Sequence, residues 1–264
     1  MQAGEQSQAS PALKWAGGKR WQVPHLVPLW QPFSRRRLVE PFCGGLAVAL
    51  GLSPRRAVLN DANPHLINFY RWVARGLVVR IELENDEVAY YRNRDRFNSL
   101  LAEGSAESEE AAALFYYLNR TGYNGLCRFN SKGQFNVPFG RYKTINYART
   151  FDDLSGAISG WQFTTGDFAE LRLRPTDFVY ADPPYDVPFT SYSMGGFAWA
   201  DQERLAERLA SHPGPVVLAN QSTDRVVALY KRLGFKIRQL DAPRRIACNG
   251  DRTPAREVLA TRNL

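Results

Sequence analysis

A four-residue run, Asp182-Pro183-Pro184-Tyr185, carries the clearest chemistry in the sequence. The apolar residues 178–180 before it predict a buried strand. That strand must end at Asp182, because two successive prolines cannot donate to a strand ladder. The carboxylate then lies at the carboxyl end of a strand, where open α/β sheets bind ligands. Since Pro183 lacks an N–H group, this end offers two acceptors, the Asp182 carboxylate and the Pro183 carbonyl, beside the ring of Tyr185.

This arrangement suits the methylation of an exocyclic amino nitrogen. The lone pair of an aromatic amine is delocalised into the ring, so the amine is a poor nucleophile. Two acceptors that bind both N–H groups would favour a pyramidal nitrogen with a localised lone pair, while Tyr185 stacks on the base. A proline-rich turn capped by an acid is the alternative interpretation of the same four residues.

The composition is that of a basic globular protein. The 264 residues are 44% hydrophobic and suffice for one large α/β domain or a domain with an insert. The net charge of +8 favours a polyanionic partner. No apolar run approaches the ~20 residues of a membrane span, and the three cysteines show neither zinc spacing nor a disulfide framework. We expect a disordered start over residues 1–12, no metal, no membrane segment and a cytoplasmic location.

Two glycine-containing segments are placed to bind a nucleotide-like cofactor. In the first, Lys14 and Lys19 flank two glycines, and Trp15 offers a stacking face. A phosphate-binding loop or a plain turn is the alternative, although no Ser or Thr follows Lys19 and no strand precedes the glycines.

The second segment follows the predicted first strand, residues 37–41. Phe42 and Gly44 lie in a turn before an apolar helical run, which gives the order strand, glycine turn, helix of nucleotide-binding folds. The next predicted strand, 57–61, ends at Asp61, 17 residues after Gly44 and close to the ~20 expected of a ribose-binding acid. Capping of the following helix is the alternative role of Asp61, and the two roles are compatible.

Residues 111–151 contain no Asp or Glu, although 23% of the chain is charged. Basic, aromatic and amide side chains interleave there, as in surfaces that neutralise phosphates, stack on bases and bind base edges. A solvated basic face over an aromatic core is the alternative. We predict helices at 68–73, 89–101 and 111–118 in this part of the chain, and an alternating strand at 134–139.

The rest of the chain alternates between strands and helices. We predict a loop at 189–197, a hairpin turn at 249–250, and a helix that Asp201 caps and that runs to Ser211. The remaining predicted elements are strands at 161–165, 215–219, 234–240 and 257–261 and a helix at 224–233. The alternation predicts a mostly parallel α/β sheet with helices on both faces.

Together these motifs resemble the Dam family of DNA adenine-N6 methyltransferases over nearly the whole chain, 13–262. The block Lys14 to Lys19 is similar to the family's N-terminal cofactor motif, and residues 119–142 are similar to its DNA-recognition segment. The order of cofactor motif, recognition insert and Asp-Pro-Pro-Tyr is that of α-group amino-methyltransferases.

The resemblance implies a mostly parallel seven-stranded methyltransferase sheet, formed by 13–63 and 150–264, and a mainly helical recognition domain at 64–149. The catalytic set would be Asp182, Pro183, Pro184 and Tyr185. The set that binds S-adenosylmethionine would be Trp15, Lys19, Phe42, Gly44, Asp61 and Asp182. The set that contacts DNA would be Lys14, Tyr123, Asn124, Leu126, Arg128, Pro138 and Tyr142.

The implied activity is methyl transfer to N6 of an adenine flipped out of duplex DNA, within GATC, by an enzyme that is monomeric in solution. Two alternatives remain open: an RNA or protein-amide N-methyltransferase, and a non-catalytic DNA-binding module of the same fold. The basic aromatic insert favours DNA. The intact residues 182–185 favour an enzyme.

Two positions depart from the family pattern. Leu46 stands where the family's Phe-x-Gly-x-Gly motif has its last glycine, and Thr121 stands where a relative has an aromatic residue. The change at Leu46 leaves the exact form of the cofactor turn open, and the change at Thr121 favours a relaxed target preference.

Overall fold

The computed structural model describes residues 9–185, 196–242 and 255–264, and within them the chain forms a seven-stranded sheet ordered β3-β2-β1-β4-β5-β7-β6. The strands are β1 Leu38–Glu40, β2 Ala57–Asp61, β3 Gln162–Thr165, β4 Phe178–Ala181, β5 Val216–Gln221, β6 Lys236–Ala242 and β7 Ala255–Arg262. β7 runs antiparallel to β5 and β6, and the other neighbouring strands are parallel. The predicted mostly parallel seven-stranded sheet is confirmed.

Among the described residues the helices are α1 Val23–Trp30, α2 Ala47–Leu52, α3 Pro64–Ala74, α4 Glu87–Ala102, α5 Glu109–Thr121, α6 Asp152–Ile158, α7 Trp199–Ala210 and α8 Asp224–Arg232. The sequence analysis did not predict α1 or α6. In α1, Pro24 occupies the first turn, where a missing N–H group costs nothing, but Pro28 lies inside the helix. The two prolines explain why residue propensities do not predict this helix.

The helices pack on both faces of the sheet, as predicted. Successive residues of a strand point to opposite faces. In β4, Phe178 and Tyr180 belong to one apolar cluster with α1–α6, whereas Val179 and Ala181 belong to a second cluster with α7 and α8. β4 is therefore buried on both sides, which fixes its carboxyl end.

Three neighbouring parallel strands bring acidic residues to one edge of the sheet. β1 ends at Glu40, β2 ends at Asp61, and Asp182 directly follows β4. Since β1 lies between β2 and β4, the three carboxyl ends are adjacent. This is the edge at which open α/β sheets bind ligands.

The segment 64–149 begins with α3, which packs both on the sheet and on the rest of the segment. Tyr70 of α3 stacks on Phe163 of β3 with ring centroids 5.5 Å apart. Its neighbour Phe69 stacks on Tyr116 of α5 at 5.9 Å. The sheet and the helices of this segment thus share one continuous apolar cluster.

The predicted strand at 134–139 is wrong. The structure has only isolated bridges there, Phe129 with Phe135 and Gly122 with Phe139. Residues 135 and 137 alternate as buried positions because they pack under the helices, as Phe135 does against Phe97 at 6.1 Å between ring centroids. Tertiary packing therefore produced a pattern with the period of a strand.

Asp201 does not take the predicted capping position. α7 begins two residues earlier, at Trp199, and the Asp201 carboxylate accepts the N–H group of Ala198 from inside the first turn, at 3.0 Å. The helix ends at Ala210. The predicted hairpin turn at 249–250 and most of the predicted loop at 189–197 lie outside the described residues.

The predicted disordered start falls mainly on residues 1–8, which also lie outside the described ranges. Ala9 and Ala12 pack, partly buried, against the core. Within the described ranges, every helix is too short or too polar to cross a bilayer.

Candidate active site

Asp182 lies in a buried ion pair directly after β4. Its Oδ2 atom is 3.1 Å from Nζ of Lys19, and Lys19 also donates to the carbonyl of Gly17 at 2.9 Å. The same ammonium group lies 4.6 Å from the centroid of the Tyr185 ring. Burial raises the pKa of Asp182 to about 6, with Lys19 acting in the opposite direction. The structure thus brings the N-terminal lysine and the Asp-Pro-Pro-Tyr run together.

Buried polar atoms without partners cluster at this edge of the sheet. Among the described residues, Oε1 of Glu40, Oδ1 of Asp182 and the hydroxyl of Tyr185 have no hydrogen-bond partner. Burial, and next the nearby Asp182 carboxylate, raise the pKa of Glu40 and of Tyr185. Because unpaired buried polar groups are costly, these atoms are candidates for contact with a ligand.

A buried polar network lies behind the catalytic run. The hydroxyl of Tyr180 donates to Oε1 of Gln22 at 3.0 Å, and Nε2 of Gln22 donates to Oε2 of Glu257 at 2.6 Å. From α7, Gln202 donates to the carbonyl of Pro184 at 2.8 Å. The sequence analysis did not find these supporting residues. A polar residue on the buried face of an amphipathic helix, as Gln202 is, was the available signal.

Trp15 lies directly over the glycine turn between β1 and α2. A Cβ atom at Gly44 would come within 2.7 Å of Nε1 of Trp15, and one at Gly45 within 2.9 Å of its Cβ. Gly44 also has a positive φ of 43°. Both glycines are therefore required by the close approach of Trp15, and the two predicted cofactor segments form one surface.

Asp61 organises the same turn. It accepts the N–H groups of Gly44, at 3.1 Å, and of Asn63, at 3.0 Å. Burial raises its pKa, and these two N–H groups act in the opposite direction. The cap of α3 is Asn63, whose side chain accepts from His65 and Leu66. The capping alternative for Asp61 is therefore wrong.

Leu46 keeps the backbone conformation that a glycine would adopt. It has a φ of 62° and is fully buried in the core. A left-handed conformation costs a leucine roughly 1–2 kcal/mol, and the burial of its side chain opposes that cost. The turn therefore survives the loss of the family's last glycine. Phe42, in the same turn, packs on Phe168 at 5.7 Å and on Phe197 at 5.5 Å between ring centroids.

The recognition segment, residues 119–142, presents several of the predicted DNA contacts at its surface. Tyr123 is 49% exposed, and Asn124 beside it has a φ of 52°. The backbone N–H of Tyr123 donates to the carbonyl of exposed Pro138 at 2.9 Å. Leu126 is half-buried against the core. Thr121 is fully buried, so any influence on target preference acts through packing beneath the segment.

Two basic side chains of this surface, those of Arg128 and Lys14, donate hydrogen bonds to neutral oxygen atoms. Arg128 donates from Nε to Oδ1 of Asn136 at 2.9 Å and from Nη2 to its carbonyl at 3.3 Å. Lys14 donates from Nζ to the carbonyl of Arg120 at 2.9 Å and lies 3.5 Å from the centroid of the Tyr142 ring. Burial, and next Arg120, lower the pKa of Lys14. In the described part of the chain, no group of His, Cys, Asp and Glu side chains is placed to hold a metal ion.

The sheet order and the acids beside a glycine turn place the chain in the class of open α/β proteins, whose ligands bind at the carboxyl edge of the sheet. Within that class, the chain belongs to the D12 class of N6 adenine-specific DNA methyltransferases, whose family model matches residues 15–246. The resemblance to Dam enzymes is thereby confirmed, and so is the prediction of an adenine-specific DNA methyltransferase.

Relatives with known names span nearly the whole chain. A type II methyltransferase of Lactococcus lactis subsp. cremoris is 38% identical in an alignment of 278 positions, gaps included, that covers 95% of this chain and 94% of the relative. The retron Ec67 DNA adenine methylase of Escherichia coli is 36% identical over 95% of this chain and 90% of its own. The DNA adenine methylase of Haemophilus influenzae is 34% identical, with shares of 95% and 92%. The family implies DNA as the substrate.

Proposed function

We propose that this enzyme transfers a methyl group from S-adenosylmethionine to N6 of an adenine flipped out of duplex DNA, within GATC. The observation that carries the proposal is the unpartnered Oδ1 atom of Asp182, a buried acceptor after β4 and beside Tyr185. An exocyclic amino group would supply the missing donor. Family membership supports adenine as the target base, and the Dam resemblance supports GATC.

The residues present fit S-adenosylmethionine, which would supply the methyl group. Glu40 and Asp182 offer buried, unpartnered carboxylate oxygens, and such atoms favour a ligand with positive charge and N–H donors. The Trp15 ring and the turn at Gly44 form one surface beside them. The residues that would hold the cofactor are Trp15, Lys19, Phe42, Gly44, Asp61 and Asp182.

The chain's own groups would then prepare the amino nitrogen for attack. The Asp182 carboxylate and the Pro183 carbonyl would each accept one N–H of the amino group, and the Tyr185 ring would stack on the base. Because base pairing otherwise occupies this amino group, the adenine must leave the duplex first. The proposed transfer is direct, from the cofactor to the nitrogen.

We propose that the segment 64–149 reads the DNA sequence. The enzyme is proposed to be cytoplasmic and monomeric in solution. The bonds from Arg128 to Asn136 use one edge of the guanidinium group. The Nη1–Nη2 end matches O6 and N7 of a guanine in the major groove. Exposed Lys132 and Lys143 would meet phosphates, which carry no sequence information.

Mapping of modified bases in a methylation-free bacterial host tests the proposal. We expect expression of the wild-type chain to produce N6-methyladenine at GATC sites, and expression of Asp182→Ala at equal protein levels to leave the genome unmodified. Methylation at a different motif would contradict the GATC assignment alone. Wild-type protein that is folded but leaves the DNA unmodified would contradict the proposed function.

A further inference from the structure

Asn119, near the end of α5, holds two segments of the chain together. Its side chain is buried, with the residue 1% exposed. Oδ1 accepts the backbone N–H of Lys14 at 2.8 Å, and Nδ2 donates to the carbonyl of Lys14 at 2.8 Å and to that of Gly125 at 3.2 Å. Both amide N–H donors and one acceptor site are thus used, all on backbone groups of two segments that lie far apart in sequence.

The two segments touch without a gap at Gly125. This glycine has a φ of 63°, and a Cβ atom built on it would overlap the side chain of Lys14. The ammonium group of Lys14 continues past this contact to the carbonyl of Arg120 at 2.9 Å. The turn at 123–125 therefore packs directly against the Lys14–Lys19 block.

The contacts of Asn119, Lys14 and Gly125, which we call the joint, continue to the cofactor turn. Trp15, the residue after Lys14, lies over Gly44. A second connection reaches the same glycine: Nδ2 of Asn63 donates to Sγ of Cys127 at 3.1 Å, and Asp61 accepts the N–H groups of both Asn63 and Gly44. A packing contact through Trp15 and a set of hydrogen bonds through Asn63 and Asp61 thus join the recognition segment to the turn that would bind the cofactor.

We infer that Asn119 is a positioning residue that couples cofactor binding to DNA binding, an inference that rests on the proposed function. Because Asn119 is buried, it touches neither ligand and acts only through Lys14 and Gly125. A ligand that orders one side of this joint lowers the cost of ordering the other side. The coupling is reciprocal, so DNA must tighten cofactor binding by the same factor.

The chain offers a matched control for the amide. Asn98 makes the same pair of bonds to one backbone residue, accepting the N–H of Phe135 at 2.8 Å and donating to its carbonyl at 3.1 Å. It does so away from the cofactor motif. Asn119→Asp and Asn98→Asp each remove the amide donors and leave an acceptor in place, so they disturb comparable bonds in different places.

A second matched pair alters the joint from its other side. Gly125→Ala places a methyl group against Lys14, whereas a Cβ atom at Gly133 meets nothing within 4 Å. Both glycines have a positive φ, 63° and 73°, so both substitutions carry a similar backbone cost. Only Gly125→Ala pushes the two segments apart. If Asn119→Asp fails to fold, Gly125→Ala and Gly133→Ala still test the inference.

The experiment measures the affinity of the full-length chain for a GATC duplex with and without saturating S-adenosylhomocysteine, which has no methyl group to transfer. We expect the ligand to tighten duplex binding of the wild type by a factor within the usual ~5–150-fold range. We expect Asn119→Asp and Gly125→Ala to reduce the factor below about twofold, and Asn98→Asp and Gly133→Ala to retain it. Melting temperatures measured alongside confirm that each variant is folded.

Two results would overturn the inference. One is a coupling factor near one in a wild-type enzyme that methylates DNA. The other is a factor that Asn119→Asp and Gly125→Ala leave unchanged, or that the two controls reduce equally. A wild type that binds no S-adenosylhomocysteine and methylates no DNA contradicts the proposed function instead, so the two failures are distinguishable.

Discussion

The proposed catalytic edge, with Glu40 and Asp182, presents acidic groups, whereas the recognition segment presents basic ones. At the catalytic edge, buried oxygens of Glu40 and Asp182 have no partner among the described residues. In the recognition segment, Arg128 donates to Asn136 and Arg120 donates to the carbonyl of Asn146 at 3.0 Å. One region presents acceptors that need donors and cations, and the other presents cations that suit a polyanion.

The neutral partners of Arg128 and Arg120 have a physical consequence, whereas Arg141 of the same segment lies 3.4 Å from the Glu87 carboxylate. A carbonyl or amide oxygen orients a guanidinium or ammonium group without cancelling its charge, whereas a carboxylate does both. Since residues 111–151 contain no Asp or Glu, the segment is both positively charged and locally ordered before it meets DNA. We therefore expect chemistry and sequence reading to be separable by mutation.

The largest expected effect is the loss of methylation in Asp182→Ala. Removal of one aligned acceptor from the amino group should cost at least ~100-fold in rate, by analogy with the deletion of single groups at other sites that stabilise charge. Single-turnover methyl transfer to a GATC duplex measures it.

Asp177→Asn is the control, at the other end of the same strand. Asp177 is fully buried and pairs with Arg37 at 2.6 Å, so its loss should cost about 3–5 kcal/mol of stability and spare the rate of the folded protein. A near wild-type rate for Asp182→Ala would remove Asp182 from the reaction.

Arg128→Ala should change which duplexes are methylated. If the guanidinium group reads one guanine, its loss should cost ~1–3 kcal/mol of discrimination at that base pair. Lys132→Ala should instead weaken all duplexes alike and lower the salt slope of binding by about one unit. The measurement is methylation of duplexes altered at single positions of GATC, across a salt series. Equal losses on every duplex for Arg128→Ala would make Arg128 a backbone contact.

Acidification should inactivate the catalytic edge before it unfolds the protein. Protonation of the Asp182 carboxylate removes its negative charge and turns one of its acceptor oxygens into an O–H donor, and burial raises its pKa to about 6. Its function is therefore lost as the pH falls through 6, and kcat/KM should decline about tenfold per pH unit below that value. Circular dichroism over the same range controls for unfolding. A kcat/KM that stays constant down to pH 5 would contradict this assignment.

The smallest expected effect is on cofactor affinity. Trp15→Ala should weaken cofactor binding by about 0.5–1.5 kcal/mol if the indole stacks on the ligand, and Asp61→Ala should act in the same direction. Both should affect the affinity for duplex DNA less. Separate calorimetric titrations of cofactor and duplex distinguish the two ligands, and equal losses for both would indicate a general loss of structure.

The sequence predicted those parts of the molecule that depend on local pattern. β2 was predicted at its observed bounds, because an apolar run ends there at a polar residue. The strand before Asp182 was predicted because two prolines must end it. The Lys14–Lys19 block and the 119–142 segment were recognised from residue types within a few positions of one another.

What the sequence did not predict depends on contacts between distant residues. Asn119 and Lys14 are 105 positions apart, and Gln22 and Glu257 are 235 apart. No local pattern encodes such pairs. The strand predicted at 134–139 failed for the same reason, since burial under α4 imposed an alternation that did not come from strand pairing.

The most direct test of the division between the two regions is a ratio of single-turnover rates. One rate is measured on a GATC duplex and the other on a duplex altered at the guanine that Arg128 is proposed to contact. We predict that Asp182→Asn lowers both rates by a similar factor and leaves their ratio unchanged. We predict that Arg128→Ala lowers the ratio by about 5–150-fold, which corresponds to ~1–3 kcal/mol. A ratio that Asp182→Asn changes as much as Arg128→Ala does would contradict the separation of chemistry from sequence reading.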